Sequence, residues 1–168
     1  MDAGDSGRFA GKLKSGHGKS ESDGVLPPRL LKISLFAMTV LHLAAPGAQW
    51  TVPPGSLFGF VPIALGFYLN WSASRRFKRL GTSLEGQEDP TVLVTHGPFR
   101  ISRHPMYLGM VLGLFGYAVL LGSFTPLLVV PAFMYLIDRR HMAKEETVLE
   151  ESFGDDYEDY RGKTARWV

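Results

Sequence analysis

The chain has 168 residues, of which 45% are hydrophobic, and a formal net charge of +2 at pH 7. This length suits one domain, and the absence of cysteine excludes disulfides, thiolate metal sites and thiol nucleophiles. The basic residues near the N-terminus are interspersed with acidic ones and lack interleaved aromatic residues, so the sequence does not favour nucleic-acid binding.

Residues 1–25 are rich in glycine, serine and charged residues and contain few apolar ones. Such a composition cannot bury enough apolar surface to fold, so it predicts a disordered tail. The stretch also lacks the apolar central region of a secretory signal peptide. We therefore expect residues 26–168 to form the folded domain.

Formal charge is absent from two long blocks, residues 33–74 and 104–137. A soluble helix must present a polar face to water, so these blocks indicate segments that cross a membrane. A Pro- and Gly-rich stretch at 46–56 divides the first block, and the turn sequence GSFTP at 122–126 divides the second. The predicted spans are residues 30–49, 57–74, 105–121 and 125–138.

Basic residues flank these spans between the second and the third and after the fourth. By the positive-inside rule, both termini and the segments 75–104 and 139–168 face the cytoplasm. The sequence thus predicts an all-α, multi-pass transmembrane helical bundle of about four spans, with a cytoplasmic C-terminal helix.

The stretch GPFRISRHPMYLG, residues 97–109, leads into the third span. Pro105 suits the first turn of a helix, where its missing N–H costs nothing, so we expect the helix to start near His104. Helical spacing then places His104, Tyr107 and Val111 along one face. An alternative is that the cations of this stretch only mark the cytoplasmic side of the membrane.

Glycines recur in the same span. Gly109 and Gly113 form a GxxxG pattern, and Gly116 lies close by. Small residues at this spacing predict that two helices pack closely there.

A second polar stretch, DRRHMAKEETVLEESFGDDYEDYRGKTARWV, follows the fourth span. His141 and Glu145 are four residues apart and Arg139 and Glu146 are seven apart, which places opposite charges along neighbouring helix faces. These residues are either surface ion pairs of little energetic weight or one wall of a polar pocket whose other wall is RISRHPMY. Both stretches are predicted on the same side of the membrane, so they can meet.

The pairing of GPFRISRHPMYLG with EETVLEESFGDDYEDY resembles the isoprenylcysteine carboxyl methyltransferase family and its phospholipid methyltransferase relatives. The resemblance covers about residues 56–168. It implies an integral membrane enzyme with S-adenosylmethionine as its cofactor.

The resemblance also implies roles for particular residues. Residues 91–94 would line the cofactor through their backbone, and Phe99 stands where many members have a tyrosine. His141 falls where eukaryotic members place an arginine that orients the substrate. The implied catalytic residues are Arg139 and His141, and the implied cofactor-binding residues are Thr91, Val92, Leu93, Val94, Phe99, Arg103, His104, Tyr107, Glu145 and Glu146.

The methyl acceptor is expected to be lipophilic, such as a prenylated substrate, with membrane lipids as further partners. A carboxylate acceptor is already ionised near pH 7, whereas an amine must first lose a proton, and this favours an isoprenylcysteine-like carboxylate. The alternatives are a phospholipid amine N-methyltransferase, an NADPH-dependent sterol or steroid reductase with its own R-H-P-x-Y-like element, and a non-catalytic membrane interaction protein. The histidines lack metal-binding spacing and no G-x-G-x-x-G fingerprint is present, so we expect neither a metal site nor a soluble dinucleotide fold.

Overall fold

The computed structural model describes residues 27–80 and 92–168, and the predicted tail at 1–25 and Thr91 lie outside this part of the chain. The described residues are helical, joined by short connections and without a β-strand. The helices are α1 Pro27–Ala44, α2 Phe60–Leu80, α3 Pro105–Leu121, α4 Phe124–Leu127, α5 Val129–Ile137, α6 Ala143–Phe153 and α7 Asp155–Lys163. Two short 3₁₀ helices, Gly55–Gly59 and Gly97–Arg100, precede α2 and α3, and a π-helical turn, Asp138–Met142, joins α5 to α6.

The start of α3 confirms the prediction made from Pro105. Pro105 is the first helical residue, and His104 is the N-cap. The helix ends at Leu121 because Gly122 adopts φ +73°, a left-handed conformation that glycine tolerates and that closes a helix. The observed helix therefore has the bounds of the predicted third span.

Close packing of α2 against α3 is also confirmed, but the glycines that permit it differ from the predicted pair. A Cβ atom built on Gly109 would lie 2.6 Å from the Gly66 carbonyl oxygen, and one built on Gly116 would lie 2.7 Å from Cγ1 of Ile63. A Cβ atom on Gly113 would meet nothing within 4 Å. The contact therefore uses glycines seven residues apart, because two full turns return a residue to the same face more closely than one turn does.

The first helix is shorter than the predicted span at 30–49. It ends at Ala44, and proline and glycine follow at positions 46 and 47. Beyond that point the chain pairs with the start of α4: Gln49 forms an isolated bridge with Ser123, and His42 Nδ1 lies 2.7 Å from Ser123 Oγ. These contacts fasten α1 to the turn between α3 and α4.

One continuous helical segment in the described chain, Gly55–Arg76, is long and apolar enough to cross a membrane, and Pro105–Leu121 is a shorter apolar helix. Large apolar side chains on α1 and α2 point outward: Phe36, Leu43 and Phe67 are each more than 70% exposed. The buried core lies between α1, α3 and α5, where Met38, Leu114 and Phe133 pack together. The outer faces of α1 and α2 thus carry large apolar side chains.

Candidate active site

A cluster of charged and aromatic side chains lies where the start of α3 meets the start of α6. The turn that enters α3 is held by a hydrogen bond from the His104 backbone N–H to Ser102 Oγ at 3.1 Å. The first turn of α6 presents Glu145 and Glu146 to His104. The two stretches that the sequence predicted could meet are therefore in direct contact.

His104 lies between two carboxylates and is only 6% exposed. Its Nδ1 is 3.3 Å from Glu145 Oε2, and its Nε2 is 3.3 Å from Glu146 Oε1. Burial by itself lowers the pKa of His104, but the hydrogen bonds and negative charges of Glu145 and Glu146 outweigh it and raise the pKa above its ordinary value of 6.5. The imidazolium form is therefore favoured at this position.

Tyr107 adds a hydroxyl and a ring to the same cluster. Its hydroxyl donates a short hydrogen bond to Glu145 Oε1. Its ring centroid lies 5.8 Å from that of His104 and 6.5 Å from that of His141. The expectation that His104 and Tyr107 face the same way is thus confirmed, and His141 approaches them from the π-helical turn.

Glu146 is the most heavily paired carboxylate of the cluster. It contacts Arg103 Nη2 at 3.3 Å, His104 Nε2, and the guanidinium of Arg166 through both oxygens. Burial raises its pKa, but hydrogen bonds from His104 and Arg166 and the charges of Arg103 and Arg166 outweigh it and lower the pKa to about 2. Glu146 is therefore ionised throughout the physiological range.

Arg103 is nearly buried, with a side chain 9% exposed. Besides Glu146 it has a marginal contact at 3.5 Å with the Tyr157 hydroxyl. Its Nε is the buried side-chain nitrogen for which no acceptor is found among residues 27–80 and 92–168. A buried N–H without an acceptor is costly, so this donor is available to an acceptor from elsewhere.

The segment expected to line a cofactor lies beside a second, smaller core. Leu93 and Val94 pack against this core cluster, which contains the buried Phe99, whereas Val92 is half-exposed. The Tyr160 hydroxyl donates a hydrogen bond of 2.6 Å to the Phe99 carbonyl oxygen, which ties α7 to the turn before α3. An open cavity of about 740 Å³ adjoins this segment and is lined by Leu93, Thr95, His96, Arg100, Asp156 and Lys163 among others.

The structure brings six of the twelve predicted site residues together. Arg103, His104, Tyr107, Glu145 and Glu146 form the cluster, and His141 lies at its edge. The sequence pairing of Arg139 with Glu146 is not found. The Arg139 guanidinium instead lies 5.7 Å above the Tyr135 ring, and Glu146 is buried among other cations.

Two contributors to the cluster were missed at the level of sequence. Arg166 contacts Glu146 directly and lies 3.2 Å from Asp138, from which 28 residues separate it in the chain. No local spacing could reveal this contact. The sequence did contain a signal for Tyr157 and Tyr160: they are three residues apart, a spacing that places both rings on one helix face, and both are buried.

Similarity to known proteins agrees with this geometry. The model of the family described as phospholipid methyltransferase matches residues 55–156. The chain belongs to the phospholipid methyltransferase family. The match covers α2, α3 and α6, and so it includes both walls of the cluster.

Individual relatives are consistent with the family. The chain is 33% identical over 112 residues to the protein-S-isoprenylcysteine O-methyltransferase of Schizosaccharomyces pombe, covering 64% of this chain and 46% of that protein. It is 40% identical over 63 residues to an uncharacterized protein of Haemophilus influenzae, covering 38% of this chain and 100% of that protein. The chain thus spans less than half the length of the named yeast relative, and no solved structure gives a significant match.

Proposed function

We propose that this chain is an integral membrane methyltransferase that takes S-adenosylmethionine as methyl donor, and that the cluster around His104 holds the donor. One observation carries the proposal: the RHPMY stretch at residues 103–107 contacts the EE pair of α6, because His104 lies between the carboxylates of Glu145 and Glu146. The family match supports the same reaction class.

The polar groups of the cluster fit those of S-adenosylmethionine. The donor carries a carboxylate, an ammonium group and ribose hydroxyls. Glu145 offers a carboxylate that is 40% exposed, and Arg103 offers a buried N–H without an acceptor in the described chain. A site for a zwitterionic ligand needs both an anionic acceptor and a cationic donor.

Bound S-adenosylmethionine supplies a methyl group on a positively charged sulfur. The work left to the protein is to align the donor with the acceptor and to exclude water. Tyr107 and His104 fix the Glu145 carboxylate by hydrogen bonding to its two oxygens, so this acceptor is oriented before a ligand arrives. Such preorganisation lowers the cost of ordering the site on binding.

The favoured acceptor is the carboxylate of an isoprenylcysteine-like molecule. A carboxylate needs no general base near pH 7, and the named yeast relative is a protein-S-isoprenylcysteine O-methyltransferase. His141 beside Tyr107, and exposed Arg139 one helical turn beyond Tyr135, are proposed to orient that carboxylate. A phospholipid amine is the second candidate acceptor, favoured by the description of the matched family.

The proposed arrangement in the membrane has four spans, at 57–74, 105–121, 125–138 and, in place of the predicted 30–49, along α1 Pro27–Ala44, with both termini and the cluster facing the cytoplasm. The exposed apolar faces of α1 and α2 support contact with lipid. The guanidinium of Arg75 lies 3.8 Å above the Trp71 ring, and that of Arg139 lies above Tyr135. Such pairs of aromatic and basic residues are typical of a membrane interface.

Binding of the donor tests the proposed site. Protein in detergent is titrated with S-adenosylmethionine by calorimetry, and saturable binding is expected. The double substitution His104→Gln/Glu145→Gln should abolish it, whereas Arg161→Ala, which removes an exposed ion pair to Glu150, should leave it unchanged. Saturable NADPH binding without S-adenosylmethionine binding would overturn the proposal in favour of a reductase.

Identity of the acceptor is tested with labelled donor. Protein in lipid nanodiscs is incubated with labelled S-adenosylmethionine and either a farnesylated cysteine or phosphatidylethanolamine. Label that enters the farnesylated cysteine as a base-labile ester is expected. Label found only in the phospholipid would replace the carboxylate with the amine as acceptor.

A further inference from the structure

A strap of residues 164–168 follows α7 and runs back along the turn before α3. The Arg103 backbone N–H donates to the Ala165 carbonyl oxygen at 3.0 Å, and Ser102 Oγ donates to the Arg166 carbonyl oxygen at 3.0 Å. Trp167 packs against the main core cluster. The backbone of the strap is therefore fixed on both sides of Arg166.

The guanidinium of Arg166 joins two carboxylates on the helix opposite. Its Nε donates to Glu146 Oε1 at 3.1 Å, its Nη2 pairs with Glu146 Oε2, and its Nη1 donates to Asp138 Oδ1 at 3.2 Å. All three guanidinium nitrogens are engaged, and the pairing with Glu146 is bidentate. Lysine has a single nitrogen and cannot reproduce this arrangement.

The π-helical turn explains how one arginine can reach both carboxylates. Asp138 and Glu146 are eight residues apart, which in a regular α-helix would separate their directions by about 80°. The π-helical turn Asp138–Met142 accommodates one extra residue between them. The eight-residue separation then corresponds to about two full turns, so both side chains lie on one face.

Contact with Arg166 fixes the carboxylate that in turn holds His104. Glu146 Oε1 lies within 3.3 Å of His104 Nε2, Arg103 Nη2 and Arg166 Nε. With Nε2 held in this way, the other ring nitrogen of His104 faces Glu145. A change in the position of Glu146 would therefore rotate the ring that orients Glu145.

We propose that Arg166 is a positioning residue, which clamps Asp138 and Glu146 and thereby sets the orientation of His104 in the cluster. The proposal rests on the proposed function insofar as the oriented cluster binds S-adenosylmethionine. Its effect on His104 does not depend on any ligand and can be measured separately.

The charged and titratable groups around His104 determine what removal of Arg166 should do. Glu145 and Glu146 face the ring from α6, Tyr107 faces it from α3, and Arg103 precedes it. The strap contributes Arg166, paired in turn with Asp138. Loss of the Arg166 charge leaves Glu146 less compensated, so the pKa of His104 should rise further.

The experiment compares Arg166→Ala, Arg166→Lys and a control, Arg161→Ala. Arg161 forms an exposed ion pair of 3.7 Å with Glu150, so its loss removes an arginine without touching the cluster. The imidazole of His104 is titrated by NMR in isotope-labelled protein, with the signal assigned by its absence in His104→Gln. Affinity for S-adenosylmethionine is measured in parallel by calorimetry.

Arg166→Ala should raise the midpoint of the His104 titration and weaken donor binding about tenfold, which is the factor for one lost charged hydrogen bond. Arg166→Lys should give a smaller loss of affinity, and Arg161→Ala should match the unaltered protein. An unchanged His104 midpoint and unchanged affinity in folded Arg166→Ala would overturn the inference. If Arg166→Ala does not fold, Arg166→Lys is used instead. An affinity of Arg166→Lys for S-adenosylmethionine equal to that of the unaltered protein would then overturn the inference.

Failure of the proposed function is recognised independently. An unaltered protein that binds no S-adenosylmethionine would overturn the proposed function. The His104 titration would still decide whether Arg166 positions the ring.

Discussion

Substitution of Gly116 by alanine should loosen the contact between α2 and α3, whereas the same substitution at Gly113 should not. A Cβ atom on Gly116 would meet Ile63 at 2.7 Å from Cγ1 and 3.0 Å from the backbone nitrogen, and would also meet the Gly59 carbonyl oxygen. The Gly59 and Ile63 backbone atoms cannot move aside as a flexible side chain could. Nothing lies within 4 Å of a Cβ atom on Gly113.

The two substitutions share their effect on helix propensity and differ in packing. Replacing glycine by alanine within a helix raises the free energy of unfolding by about 1 kcal/mol at either position. Gly113→Ala should therefore stabilise the protein. Overpacking at Gly116 costs about 1–3 kcal/mol, which cancels or exceeds that gain. The difference between the two free energies of unfolding therefore isolates the overpacking, about 1–3 kcal/mol.

Unfolding by sodium dodecyl sulfate in mixed micelles, followed by circular dichroism, measures this difference. Gly116→Ala should unfold at a lower detergent fraction than Gly113→Ala. Equal unfolding of the two variants, or greater loss in Gly113→Ala, would refute the assignment of the helix contact to Gly109 and Gly116. Greater loss in Gly113→Ala would restore the GxxxG interpretation of the sequence.

Two further substitutions test the charged cluster and its support. The pKa of Glu146 is lowered from 4.5 to about 2 in the folded protein. The ionised carboxylate therefore contributes about 3 kcal/mol to the free energy of unfolding. This contribution is fully present above pH 4.5 and is lost as the pH falls through about 2. Glu146→Gln should therefore lower the free energy of unfolding by about 3 kcal/mol at pH 7, and a loss below 1 kcal/mol would contradict this pairing. Tyr160→Phe leaves the Phe99 carbonyl oxygen without its buried donor, which should cost about 1–2 kcal/mol. Detergent unfolding measures both, and an unchanged midpoint in Tyr160→Phe would show that the bond is not formed.

Local spacing anticipated those parts of the site that lie within one helix. Pro105 marked the start of α3, so the common face of His104 and Tyr107 followed from helix geometry alone. The same reasoning failed for Arg139 and Glu146, because seven-residue spacing assumes a regular α-helix. The π-helical turn begins at Asp138 and changes the direction of every side chain after it.

The glycines show a similar division between local and tertiary information. The sequence indicated close packing in the third span, and close packing is present. Which glycines face the partner depends on the side from which α2 approaches, and that is a property of the assembled helices. The interface consequently includes Gly66 and Gly59, which the pattern in α3 could not identify.

By itself, the sequence determined the helical fold class, the membership in a methyltransferase family, and the two stretches that form the cluster. These conclusions rest on local features: charge-free blocks, a proline that starts a helix, and short spacings. Such features can be recognised without knowledge of the fold. The tertiary structure decided how Glu146 is neutralised, because Arg166 reaches it across 20 residues and through a π-helical turn. A buried carboxylate takes its partners from whatever lies nearest in space, and that neighbourhood exists only once the chain has folded.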